Sequence, residues 1–534
     1  MLRRKTRQEQ DLSSLRSPLE SGQPGHIQAA GSGLRWLRIA QVVIALWLAF
    51  CVVRVILASI SWPMVQDGAI VSYIVFLIDH GMAPYREIIE TSFPGSYLAY
   101  WLGIHTFGSS ALGFMLFDYT IMAAAAIAMF SISLSRKAWL AGAVGAVTLF
   151  VAHIAGNCLD SAQRDFIMAA LELCGCACTF LALRRKLPVL LFFAGFAFSF
   201  ATAIKPTAAL FFLILFIAIL RVRRQGIAIR KYVSASIIGA ALAAAIVVTF
   251  LVREGSFFAF FDILGRLDAV HGSLRTTSFL GMIYNLFFKD TGRLLLLPVV
   301  LLWAAQRDLR KSFELQMLLL CVVLGMASFL VQQKGWHYHL YPFLAFESLW
   351  IALVLVETLR QPGRLRYVAG ALLCVVLFLE LPLGVKHSVS VDFPQDFLFA
   401  LQSDLTSAGA LNEDGSVQCM EMVSGCTNVL YRMKLKQATG FIADYYFFLP
   451  EKYSIVLDLR NKYLHEIEQK RPRTIVITDD VWPPVDRHHL IRSYDQINKW
   501  PDFAQYLSTN YHLAVERTES DGGLPAGYRM YLRN

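Results

Sequence analysis

Charge is scarce in this chain: Asp, Glu, Lys and Arg make up only 16% of 534 residues, against 56% hydrophobic residues and a mean hydropathy of +0.50. That balance excludes an ordinary soluble domain and defines a polytopic membrane protein. A metal-ligand pattern is also missing. Cys174, Cys176 and Cys178 fall in one apolar run, where a helix turns them to different faces and no histidine completes a ligand set, so they read as packing residues. No cleavable signal peptide is apparent; the first apolar run starts too far from Met1 and is too long for an h-region, and reads as a retained anchor. The spans show no internal repeat, which weighs against a secondary transporter.

Apolar runs long enough for membrane helices occur at 37–60, 109–134, 138–155, 165–183, 188–203, 206–220, 232–252, 292–306, 313–331, 340–358 and 367–385, about eleven spans in all. The net charge of +10 does not mark a nucleic-acid partner, because the basic residues fill alternate connections, among them Arg136/Lys137, Arg184/Arg185/Lys186, Arg221/Arg223/Arg224 and Arg360/Arg364/Arg366. By the positive-inside rule these ends are cytoplasmic. The expected organisation is a disordered cytoplasmic tail at 1–35, an all-α polytopic membrane domain at 36–385 with an outward loop at 61–108, and an exported, periplasmic α/β domain at 386–534. Within that last domain, 457–470 reads as a helix and 473–478 as a short buried strand. Asp479 and Asp480 after it read as a solvated turn, and Cys419 and Cys426 are the pair whose compartment permits a disulfide.

The outward loop keeps Asp67, Asp79, Glu87 and Glu90 at the membrane boundary, where an ionisable group is costly and functional by default. Asp67 fits a catalytic base and also the N-cap of a helix beginning GAIVSYIVFLI. Asp79, before His80-Gly81, reads as a solvated helix end. Glu87 and Glu90 share a face if their segment is helical, either orienting an acceptor or pairing with Arg86 on the surface. Lys205-Pro206 separates two short runs in a broken-helix pattern that turns Lys205 into a cavity or lets it snorkel to the headgroups. Arg164 suits a phosphate, or pairs with Asp160 or Asp165.

The stretch 331–342 carries Lys334, Trp336, His337, Tyr338 and His339. Lys334, His337 and His339 suit phosphate or sugar contact, while the aromatics also fit an interfacial belt. The segment 253–289 reads as an amphipathic helix lying on the membrane, with Arg266 and His271 as possible contacts.

The order of apolar anchor, Asp67, Gly81-Met82-Ala83-Pro84-Tyr85-Arg86-Glu87, Glu90 and Phe93-Pro94-Gly95 resembles membrane glycosyltransferases of the GT-C fold, over roughly 36–385. It is most similar to family 39 relatives, the protein O-mannosyltransferases and the aminoarabinose and galacturonic acid transferases of lipopolysaccharide. The resemblance implies an inverting glycosyltransferase of the bacterial inner membrane, using a polyprenyl-phosphate sugar donor on the outer face, with Asp67 as general base. Lipid, polysaccharide or protein are the acceptors it allows, with membrane lipids as surroundings and no nucleic acid. No cofactor is predicted, and a divalent metal is left open. Asp67-Gly68 departs from the acidic doublet of many protein mannosyltransferases, which weakens the case for a protein acceptor. A lipid-linked glycan polymerase or ligase, or a secondary transporter, is the alternative.

Overall fold

The apolar runs form helices because backbone polar groups in lipid must be satisfied within their own segment. The computed structural model describes residues 25–268, 270, 277–288, 294–390, 396–409, 413–421, 425–479, 493–518 and 527–534. His271, Asp480 and the tail up to residue 24 lie outside them. The chain divides into Met1–Trp47, whose described part is the beginning of α1 (Gly25–Ser59), and Leu48–Asn534.

Among the described residues eight helices are long and apolar enough to cross a membrane, and Trp139–Ala155 and Val189–Ile204 are shorter apolar helices. Together they match every expected span except 292–306, where the described helix is Leu296–Ala304, only 9 residues long. The chain is a multi-pass membrane protein. Two further helices, α2 (Gln66–Asp79) and α3 (Pro94–Phe107), fold inside the segment expected as an outward loop. The bundle follows with α4 (Ala111–Ser135), α5 (Trp139–Ala155), α6 (Arg164–Arg185) and α7 (Val189–Ile204).

The helix ends gather into two charged layers. At one end, Arg136 after α4 bonds Glu357, Glu314 at 2.5 Å and Ser312 at 2.9 Å, tying α4 to the helices Phe313–Gln332 and Tyr341–Leu359. At the other end meet the starts of α2, α4 and α6 and the ends of α5 and α7. The break after α7 has a backbone cause: Pro206 supplies no N–H and disfavours a helical residue before it, so Lys205 is extended at φ −155°, ψ 127°. Gly95 at the start of α3 fits here, since a side chain would meet the Ala203 carbonyl at 2.7 Å.

The C-terminal part is α/β, as expected. Its sheet has the order β1-β2-β4-β3, with β1 (Val417–Met420) parallel to β2 (Thr474–Thr478), and β4 (Gly527–Arg533) antiparallel to both β2 and β3 (Tyr511–Thr518). The helix Ser454–Lys470 precedes β2. Asp479 is buried, at 3% exposure, rather than in a solvated turn, because its backbone N–H continues the pairing to the Gly527 carbonyl at 2.8 Å. Cys419 and Cys426 are disulfide-bonded. Beside them the buried Glu421 carboxylate accepts the backbone N–H groups of Gly425, Cys426 and Thr427 at 2.7, 2.6 and 2.8 Å, which caps the start of the helix Cys426–Met433.

That capped helix holds α2. Asn428 Nδ2 donates to the Met64 carbonyl at 2.6 Å, and Tyr73 Oη donates to the Leu435 carbonyl at 3.1 Å while accepting from Gln437 N–H at 2.8 Å. Farther along, Ile89 N–H donates to Gly440 at 2.9 Å, where any side chain would collide with the Glu87 carbonyl. The C-terminal domain therefore sets the path of the segment that carries the loop acids.

Candidate active site

Asp67 lies in the first turn of α2, but it is not the cap. Val65, which has no polar side-chain atom, occupies that position, and the Asp67 carboxylate instead turns to the bundle and accepts from Arg164 Nη2 at 2.8 Å. Arg164, the first residue of α6, also bonds Ser92 Oγ. Both partners keep an open face, with side-chain exposures of 23% for Asp67 and 26% for Arg164. Gln66 (φ 45°) and Ala162 (φ 47°) stand just before them in the left-handed region, a conformation that costs a residue with a Cβ about 1 kcal/mol or more. Such strain persists where surrounding structure imposes it, and here it borders the acid and the base.

The neighbouring acids did not pair as the sequence reading allowed. Asp165 binds Lys205 Nζ at 2.8 and 2.9 Å, and Asp160 binds His337 Nδ1 at 3.0 Å, which leaves Arg164 to Asp67. Lys205 is thus brought to the same end of the bundle as Asp67 and Arg164. Tyr338 interacts electrostatically with Asp67, Arg164, Asp165 and Asp160 and joins the two acid groups.

Glu87 and Glu90 are separated. Residues 82–93 form no helix, because Pro84 and Ile88 bridge and Ile89 pairs with Phe441. Glu87 folds back on Ala83 N–H at 2.6 Å and, half exposed, lies 3.9 Å from Arg86. Glu90 turns inward and accepts from Tyr97 Oη at 3.0 Å and Ser92 N–H at 2.5 Å. Burial, reinforced by the Glu90 carboxylate, holds the Tyr85 and Tyr97 phenols well above the ordinary tyrosine value, so both remain donors.

Lys334 is buried, and its carbonyl accepts from Thr277 Oγ1 at 3.4 Å. His339 is buried among rings, 4.7 Å from Tyr338 and 5.3 Å from Trp336. Arg266 pairs with Asp262 at 3.6 Å and with Asp458 of the C-terminal domain, so it braces that domain. Asp79 accepts from Trp101 Nε1 at 3.1 Å.

Sequence reading missed Ser92, Tyr97, Asp118, His153 and Tyr341. Asp118 and His153 carried a usable signal, each being an ionisable residue inside an apolar run. Among the described residues no group of three or more His, Cys, Asp or Glu is arranged to hold a metal ion.

No family model and no curated protein matches the sequence. Solved structures do. The chain is similar to ArnT from Cupriavidus metallidurans bound to undecaprenyl phosphate, at TM-score 0.55 and 13% identity, covering 92% of this chain and 98% of that one. The apo form of the same protein gives TM-score 0.53 at 13% identity over 92% and 98% of the two chains. The oligosaccharyltransferase of Archaeoglobus fulgidus, in complex with Zn and sulfate, gives TM-score 0.50 at 12% identity, over 81% of this chain and 68% of that one. At these identities the likeness establishes architecture: the chain has the GT-C fold, a polytopic helical domain with a C-terminal domain.

Proposed function

We propose that the protein is an inverting glycosyltransferase that moves a sugar from a polyprenyl-phosphate donor to an acceptor hydroxyl at the end of the bundle carrying Asp67. The observation that carries this reading is the half-open Asp67–Arg164 pair at 2.8 Å, standing at the rim of a GT-C fold beside Lys205. A carboxylate at that rim is suited to take the acceptor proton as the acceptor oxygen bonds to the anomeric carbon. The bond from that carbon to phosphate breaks in the same displacement, and its electron pair leaves with the phosphate. One carboxylate suffices because phosphate is a good leaving group, unlike the paired acids of glycoside hydrolases.

Arg164 and Lys205 supply the positive charge such a phosphate needs, with His337 on the adjacent Asp160 as a further donor. In the ground state Asp67 and Asp165 neutralise the two bases, and a donor phosphate competes for them. Glu90, held by Tyr97, lies in the segment that meets Arg164 through Ser92 and adds negative charge beside it. Lys334, His339 and Glu87 belong to this reading as further contacts to the substrates. The C-terminal domain and the Asp67 end face outward from a bacterial inner membrane, with the N-terminus inside, following the alternation of basic loops.

A reconstituted transfer assay with radiolabelled sugar tests the reading. Transfer from a polyprenyl monophosphate donor is the expected result. Solute uptake without transfer, or en bloc oligosaccharide transfer, overturns it.

A further inference from the structure

Beneath His337 a chain of polar side chains runs into the apolar bundle. His337 Nδ1 lies 3.0 Å from Asp160 Oδ2, and Tyr341 Oη lies 3.2 Å from that same oxygen. His153 Nδ1 is 2.7 Å from Tyr341 Oη, and its Nε2 is 3.0 Å from both Asp118 oxygens. Ala162 N–H donates to Asp118 Oδ1 at 2.9 Å. Asp118, His153 and Tyr341 are fully buried, with the His153 ring stacked on Phe166 at 3.8 Å. Two potential charges in such a place destabilise the bundle relative to apolar residues of the same volume, so packing alone gives no account of them.

With Asp118 ionised, counting hydrogens leaves the chain two arrangements. Asp118, as a carboxylate, accepts from Ala162 and from Nε2, so Nε2 carries a hydrogen. Tyr341 has one hydroxyl hydrogen for two neighbours. If it goes to Asp160, His153 Nδ1 must donate, and His153 is an imidazolium opposed by Asp118. If it goes to Nδ1, the proton resides on Asp160 instead, and His153 is neutral. The arrangements hold equal numbers of protons and differ by one shift: His153 Nδ1 gives its proton to the Tyr341 oxygen as the Tyr341 hydrogen passes to Asp160 Oδ2.

We propose that Asp118, His153 and Tyr341 are positioning residues that act through Asp160, fixing the ring orientation of His337 and exchanging one proton with the Asp160 carboxylate. His337 is thereby held by Nδ1, which leaves Nε2 on its far edge for a ligand. Among the described residues the other titratable groups interacting with this chain include Cys158 and Tyr338 at Asp160, Tyr100 and Tyr119 at Asp118, and Asp165 at Tyr341. That the ligand is a donor phosphate rests on the transferase reading; the relay itself does not.

The test uses the full-length protein in lipid nanodiscs with ¹⁵N-labelled histidine, and His153→Gln assigns the His153 signal. His153 is expected to show a hydrogen on Nε2, the nitrogen facing Asp118, in both arrangements. Tyr341→Phe is expected to shift both the His153 and His337 signals, although residue 341 touches only the first. In the transfer assay the same variant lowers kcat about tenfold, the usual effect of losing the group behind a functional side chain, and moves the pH profile while KM changes little. Asp160→Asn, close to isosteric, should reproduce the His337 shift and guards against misfolding of the tyrosine variant. An unmoved His337 signal in Tyr341→Phe, with Asp160→Asn showing that the signal responds, overturns the relay. Absence of transfer from any donor with the signals shifted overturns only the transferase reading.

Discussion

Two charged layers close the ends of this bundle, built from the same residue types with opposite results. At the Arg136 end one guanidinium meets two carboxylates and a hydroxyl, and the cluster is satisfied where three helices converge. At the Asp67 end two bases each oppose one acid beside a broken helix, and Asp67, Arg164 and Lys205 keep part of their surface exposed while Asp165 is buried. A saturated cluster is a fastener. An incompletely covered one, beside a broken helix and held by a second domain, is the arrangement expected of a site.

That contrast breaks most visibly at Arg136. Arg136→Ala leaves Glu314 and Glu357 without their cation and should destabilise the protein by about 3–5 kcal/mol, read as a lower unfolding midpoint, while transfer per folded molecule is unchanged. Next comes Arg164→Ala, which should lower transfer about 10²–10³-fold, the scale of losing one preorganised contact to developing charge, with a smaller effect on the melting temperature. If the two variants exchange these phenotypes, the division into fastener and site fails.

The C-terminal domain gives smaller effects that sharpen the comparison. Replacing Cys419 and Cys426 by serine frees the turn that precedes the helix holding α2. The domain should lose about 2 kcal/mol of stability, and transfer should fall because Asp67 is less firmly placed, measured by denaturation and assay side by side. The smallest effect concerns Asp404, whose carboxyl is held below the usual aspartate value by Arg517 at 2.7 Å, with Tyr528 assisting against partial burial. Its stabilisation is fully present above the ordinary aspartate value near about 4 and is lost as pH falls through the lowered one. Asp404→Asn should therefore lower neutral stability slightly and make the acid limb of a stability profile shallower by this one group's contribution.

The fold was legible because bilayer length and alternating basic loops act on each segment separately. So were the break at Lys205, imposed by Pro206, and the buried strand at 474–478. Pairing at the site was not legible. Nothing local distinguishes Asp67, Asp160 and Asp165 as partners for Arg164, His337 and Lys205; only the meeting of α2, α6, the end of α7 and the segment after residue 336 decides it. Glu87 and Glu90 misled for a related reason, since the C-terminal domain pulls their segment into a bridge with Phe441 and overrides any helical spacing. Asp118 and His153 were visible as charges inside apolar runs, but the partner that gives them meaning, Tyr341, is far along the chain.

The central claim is that Asp67 acts as the base. Asp67→Asn preserves shape and a hydrogen-bond acceptor for Arg164 while removing the ability to take a proton. With purified protein and a defined polyprenyl-phosphate sugar, transfer should fall about 10²–10⁴-fold with donor binding and folding retained. Transfer at the parent rate in that variant would contradict the account.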